Sequence, residues 1–277
     1  MRKNVFLALL LSFLVLYIAL MIVFTFFDYQ ITSALYNPKT GFGIFLEATG
    51  PMFMPFFIIY STIGLALNLK FSTKSKTIFS YIGLGFLFIY GTFMGVMTHL
   101  HSYAPWMFVP SIVIYLLFTV LCVYLNKLVK QKYQKLLPKH VKILFIMLIT
   151  SSVSLLGVDI IKCLFGRIRY IDLVNANQFK PWFYINNFLF NSSFPSGHTA
   201  RATTAICFSL IPLYFSKTKL SCIVLLITIL FGIATGISRL FEGMHYPTDI
   251  ITGFAFVFLS FYISKYYLLD KSDTIAS

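Results

Sequence analysis

Eight apolar runs, each about as long as a helix needs to cross the hydrocarbon of a bilayer, leave this chain few ways to fold. They cover residues 5–27, 52–69, 79–100, 107–126, 143–161, 199–215, 221–237 and 248–266. A crossing takes roughly 20 residues, and inside lipid every backbone polar group needs an internal partner, so runs of this kind become helices. The expected fold is all-α, a polytopic transmembrane bundle of about eight spans. A mean hydropathy of +0.85, with 58% hydrophobic and 11% charged residues, lies outside the range of soluble domains. The first run follows Met1-Arg2-Lys3-Asn4 and reaches Thr25-Phe26-Phe27-Asp28 without a small-x-small cleavage site. It is longer than a signal-peptide core and reads as an uncleaved anchor.

The net charge of +14 would suggest nucleic acid in a soluble protein, but here the cations cluster in short loops between apolar runs and orient helices instead. No nucleic-acid partner is expected. With eight spans and the N-terminus inside, fifteen of the 22 Lys and Arg residues fall on the cytoplasmic side. These are Arg2 and Lys3; Lys70, Lys74 and Lys76; the six lysines from Lys127 to Lys142; Lys217 and Lys219; and Lys265 and Lys271. The other seven are Lys39, Lys162, Arg167, Arg169, Lys180, Arg201 and Arg239. Most of those belong to three polar clusters, all assigned to the non-cytoplasmic side. Charge held at a membrane edge against the loop bias is a mark of function.

The four cysteines, Cys122, Cys163, Cys207 and Cys222, show no CxxC or Cys/His spacing, so neither a disulfide nor zinc is expected. Residues 170–193 form an unusually long connection whose aromatics include Phe179, Trp182, Phe183, Tyr184, Phe188 and Phe190. They suit either an interfacial belt or a headgroup lid.

The first cluster is Lys162-Cys163-Leu164-Phe165-Gly166-Arg167-Ile168-Arg169. Its Lys162 and Arg169 lie two helical turns apart, with a possible bend at Gly166. Asp159, three residues before Lys162, is either its partner or a structural counter-ion. The second is Phe194-Pro195-Ser196-Gly197-His198-Thr199, a polar turn opening onto an apolar run. The unpartnered N–H groups and dipole of the helix that follows would attract an anion. The third runs from Ser238-Arg239 to His245 and Asp249. Four residues of separation let the carboxylate reach one ring nitrogen and leave the other free. Arg201, one turn past His198, is either a headgroup contact or a snorkelling side chain.

Together, Lys162-x6-Arg169, Pro195-Ser196-Gly197-His198 and Ser238-Arg239-x5-His245-x3-Asp249 resemble the three-part signature of the type 2 phosphatidic acid phosphatase superfamily. The resemblance spans about residues 143–266. One position departs: the family's Pro after the first motif's Arg is Tyr170 here. Family members commonly have six spans, so residues 1–78 would be an N-terminal addition and 79–277 a six-helix core carrying the signature at 162–249.

What the resemblance implies is a membrane lipid phosphatase. His245 would be the nucleophile, Asp249 would orient its ring, and His198 would protonate the leaving alkoxide. Lys162, Arg169, Ser196, Gly197 and Arg239 would hold the phosphoryl oxygens. Fixed cations and N–H groups can carry the charge of that transition state, so no metal and no cofactor is expected. The expected substrate is a phosphorylated lipid such as lipid A, at the outer face of a bacterial inner membrane. Polyprenyl diphosphate, phosphatidylglycerophosphate and lipid-to-lipid phosphotransfer fit the same residues. From another class, a non-catalytic lipid-binding or transport protein would be expected to lack some of these residues, and none is missing.

Overall fold

The computed structural model describes residues 3–69, 73–102, 108–185 and 192–271. The apolar runs form helices: α1 (Lys3–Leu35), α3 (Phe53–Asn68), α4 (Lys74–Ser102), α5 (Phe108–Lys132), α6 (Leu137–Ser152), α10 (Thr218–Phe241) and α11 (Pro247–Lys265). A short α2 (Gly41–Thr49) precedes α3, capped by Thr40 Oγ1, which accepts from Gly43 N at 3.3 Å. Among the described residues, seven helical stretches are long and apolar enough to cross a membrane. The protein is an integral membrane, all-α polytopic bundle.

The eighth run, 199–215, is helical but not continuous. It begins as α8 (Gly197–Thr203), tightens into a 3₁₀ stretch over Thr204–Ser209 and ends as α9 (Leu210–Tyr214). Pro212 explains the break, because it has no N–H to give the carbonyl of Phe208 and its ring crowds that carbonyl. α6 likewise does not run straight through. It widens into a π-type turn over Val153–Gly157 before α7 (Val158–Phe165), and such turns gather at functional sites.

Phe57 of α3, Ile146 of α6, Val158 of α7, Ala200 of α8, Ile206 and Leu210 of the broken run, and Val257 and Phe261 of α11 share one buried core. α3 therefore lies in the middle of the bundle, with α4 and α5 packed on its outer side through Ile59, Val96 and Tyr115. α1 lies along α11, where Phe6 stacks on Tyr266 at 3.8 Å and Phe13 on Phe258 at 4.7 Å. At one end of the bundle Lys139 donates to the Leu213 carbonyl at 2.7 Å and Lys130 to the Leu67 carbonyl at 3.2 Å. The Leu213 carbonyl also accepts from Ser216 N at 3.0 Å, so the ammonium of Lys139 adds a further donor at the end of α9. All three polar clusters lie at the opposite end.

Candidate active site

The second cluster is built first by its cap. Ser196 is the N-cap of α8, its Oγ accepting from Thr199 N at 3.3 Å, and its own N–H donates to the Asp249 carbonyl at 2.9 Å. His198 thereby sits in the first turn, half-buried. α11 can approach this turn because residue 253 is glycine: a Cβ there would run into the Ser196 carbonyl. Lys162, from the last turn of α7, lies against Gly197 and donates to the Ser192 carbonyl at 3.1 Å.

The first cluster differs from a continuous helix. α7 stops at Phe165, and Gly166 takes the left-handed conformation at φ 57°, open to glycine without strain. Arg167 to Arg169 are therefore a loop, which separates the two arginines' roles. Arg169 stays half-buried within electrostatic reach of Arg239. Arg167 turns inward and is 1% exposed. Asp159 pairs with Arg201 at 3.7 Å rather than with Lys162. Tyr170, the departure from the family pattern, packs against Tyr29 of α1 at 5.7 Å and against Tyr36, just past its end, at 5.3 Å.

In the third cluster the expected bond from Asp249 to the His245 ring is not made. Nδ1 of His245 lies 2.7 Å from the Ser193 carbonyl and 3.7 Å from Asp249 Oδ2. The carboxylate is already occupied. Oδ1 accepts from Arg167 Nη1 at 2.6 Å, and Oδ2 accepts from Ser193 Oγ and from Tyr246 N, each at 2.8 Å. Asp249 thus acts on the ring through Ser193, whose hydroxyl it holds and whose carbonyl takes the ring proton. A carbonyl can only accept, so the proton lies on Nδ1 and Nε2 keeps a free lone pair.

Burial lowers His245 to about 4, with Lys162 and Arg239 adding to the shift and Asp249 opposing it. The ring is neutral at physiological pH. Burial also holds His198 well below its usual range, reinforced by Arg239, Arg201, neighbouring His245 and Lys162. Three cations therefore surround two neutral imidazoles. Arg239 is fully buried, with Nε and Nη2 making no hydrogen bond, and Arg169 Nε and Arg201 Nε are also buried without a partner. Buried donors left open are rare and mark a place for an acceptor. Arg239 Nη1 meets Glu242 Oε2 closely and Glu47 Oε1 at 3.4 Å.

Part of the aromatic connection borders this centre. Trp182 stacks on Phe194 at 5.5 Å and donates to Thr25 Oγ1 at 2.9 Å, and Phe179 meets Tyr246 at 5.2 Å. Phe183 and Tyr184 are exposed, while Phe188 and Phe190 lie outside the described residues. Four participants were not foreseen from the sequence, Asp28, Glu47, Ser193 and Glu242, and Arg167 was read there as a cation of the first cluster without a role. Asp28 carried a usable signal, because a carboxylate at the end of a 23-residue apolar run needs a partner.

The fold and the centre define a polytopic membrane protein with an anion-seeking site made of arginines, a lysine and two imidazoles. A family model described as the PAP2 superfamily matches residues 111–273, more than half of the chain, including every residue from Lys162 to Asp249. The chain belongs to the PAP2 superfamily, a family of phosphatases. No curated protein and no solved structure matches it.

Proposed function

We propose that the protein hydrolyses a phosphate ester of a membrane lipid through a phosphohistidine on His245. The observation that carries this reading is the tautomer fixed by Ser193: Nε2 of a neutral, buried imidazole is left free beside Lys162 and Arg239. In this reading Nε2 attacks phosphorus and the ester P–O bond breaks. His198 gives a proton to the departing alkoxide, then takes one from the water that releases inorganic phosphate. Held neutral in the free protein by burial and by surrounding cations, His198 gains its proton when a phosphate dianion enters and reverses the local field. Lys162, Arg169, Arg239 and the Ser196-Gly197 turn hold the equatorial oxygens, so that no divalent ion is required for charge.

A lipid substrate is favoured by an apolar groove of about 390 Å³ between α1, α10 and α11. Its lining includes Thr199, Leu240 and Pro247, each one or two residues from His198, Arg239 or His245. An acyl chain in the groove would bring its headgroup to the cations. The site faces away from the cytoplasm, in the outer leaflet of a bacterial inner membrane, and lipid A is the first substrate to try.

The experiment is rapid-quench trapping of acid-labile phosphoenzyme with an alkyl and an aryl phosphate, in the presence of EDTA. His245→Ala should trap nothing with either. His198→Ala should lose roughly 10²–10⁴-fold with the alkyl ester and far less with the aryl one, whose leaving group needs no proton. Trapping in His245→Ala but not in His198→Ala would reverse the roles, and loss of wild-type turnover in EDTA would refute the metal-free mechanism.

A further inference from the structure

Arg167 is held as tightly as any side chain in the bundle, although it belongs to none of the phosphate-binding roles. Its guanidinium forks between two carboxylates. Nη1 donates to Asp249 Oδ1 at 2.6 Å and to Thr248 Oγ1 at 2.9 Å, and Nη2 donates to Asp28 Oδ2 at 2.8 Å. Nε donates to the Lys180 carbonyl at 3.1 Å, and the Tyr246 ring covers the guanidinium at 4.0 Å. Asp28 is 1% exposed, and it also accepts from Thr248 N at 2.9 Å and from the Thr248 hydroxyl. Its carboxylate therefore grips both Arg167 and the first turn of α11, next to Asp249. Asp28 belongs to α1, which lies outside the matched region 111–273.

We infer that Asp28 is a positioning residue for the reaction proposed above, on which this inference rests: through Arg167 it sets Asp249, and through Asp249 and Ser193 the His245 ring. Charge gives the reason for a second carboxylate. Arg167 and Asp249 alone would cancel, and a neutral pair offers little to a ring that must become positive or carry a phosphoryl group. Asp28 adds one negative charge, so the buried trio keeps a net charge of −1 behind the imidazole. The other charged or titratable groups facing His245 are Lys162 from α7, His198 from α8, Arg239 from α10 and Asp249 from α11. Lys162 and Arg239, the cations among them, disfavour protonation, so the Asp28 charge opposes them.

The test compares full-length wild type, Asp28→Asn, Asp28→Glu and His245→Ala, each checked for a native melting transition, with a soluble aryl phosphate. Asp28→Asn should lower kcat, by up to about 10²-fold, with KM within about twofold, because Asp28 touches no phosphate oxygen. With one negative charge fewer behind it, His245 is harder to protonate, so the acid limb of the pH–rate profile should move to lower pH. Asp28→Glu should restore the wild-type limb. A folded Asp28→Asn with unchanged kcat and limb overturns the inference. Should Asp28→Asn not fold, Arg167→Lys is read in the same assay. It keeps the cation but cannot fork to both carboxylates, so an unchanged kcat overturns the inference and a fall at constant KM upholds it. A wild type that releases no phosphate removes the phosphatase reading and this inference together, whereas an active wild type beside a normal Asp28→Asn removes this inference alone.

Discussion

Glu242 pairs with Arg239, with Glu47 of α2 on the same guanidinium, so under the proposed function a phosphate ester would have to compete with these carboxylates for it. Burial raises Glu242 to about 7, against the opposing pull of Arg239. Above that pH the carboxylate is charged and holds Arg239; below it the acid is neutral and lets the guanidinium go. KM for a phosphate ester should therefore fall, by roughly tenfold, as pH drops from about 8 to about 6. Glu242→Gln should show the low KM throughout, measured by steady-state phosphate release. A KM raised at every pH would instead mean that Glu242 keeps Arg239 in place. The cations and imidazoles of this centre were legible as residue types at recurring spacings. Ser193 was not, because its contribution to the ring is a backbone carbonyl, which every residue has. Arg167 and Asp28 were hidden by distance, since their bond joins positions 139 residues apart.

Among the elements, the apolar runs gave their helices with ends shifted by several residues, since hydrophobic length reports a span directly. The breaks inside runs were harder to see. Pro212 was a visible reason for the 3₁₀ stretch before it, whereas the π-type turn at Val153–Gly157 lies in an apolar stretch without proline. The packing of α11 against α8 makes a separate prediction. Gly253→Ala should press a methyl group on the Ser196 carbonyl, cost about 1–3 kcal/mol of stability and lower kcat by displacing the Ser196-Gly197 turn. Thermal unfolding and phosphate release on the same preparation measure both. A variant that melts like wild type with full kcat would mean that the two helices separate freely.

At the scale of the whole molecule, the gathering of all three clusters at one end agrees with the loop-charge pattern, and the side of the membrane is directly testable. In a cysteine-free background, Val174→Cys, at an 85% exposed position, should react with a membrane-impermeant maleimide added to intact spheroplasts. Lys127→Cys should react only after permeabilisation. The reverse pattern would put the centre in the cytoplasm. Clustering at one end was foreseeable because the crossing number fixes the side of every loop. What lay beyond reach was α1: its role depends on which helix face meets α11, and a run apolar on all sides does not reveal that face. The bond between Asp28 and Arg167 also imposes an order on biosynthesis. Translation delivers α1 to the membrane before α7 and α11, with an acidic group near its end and neither Arg167 nor Thr248 yet made. Until the ribosome has added those residues, that group must remain hydrated at the bilayer surface or carry a proton. A helix made before its partners is thus among the last to be locked in place.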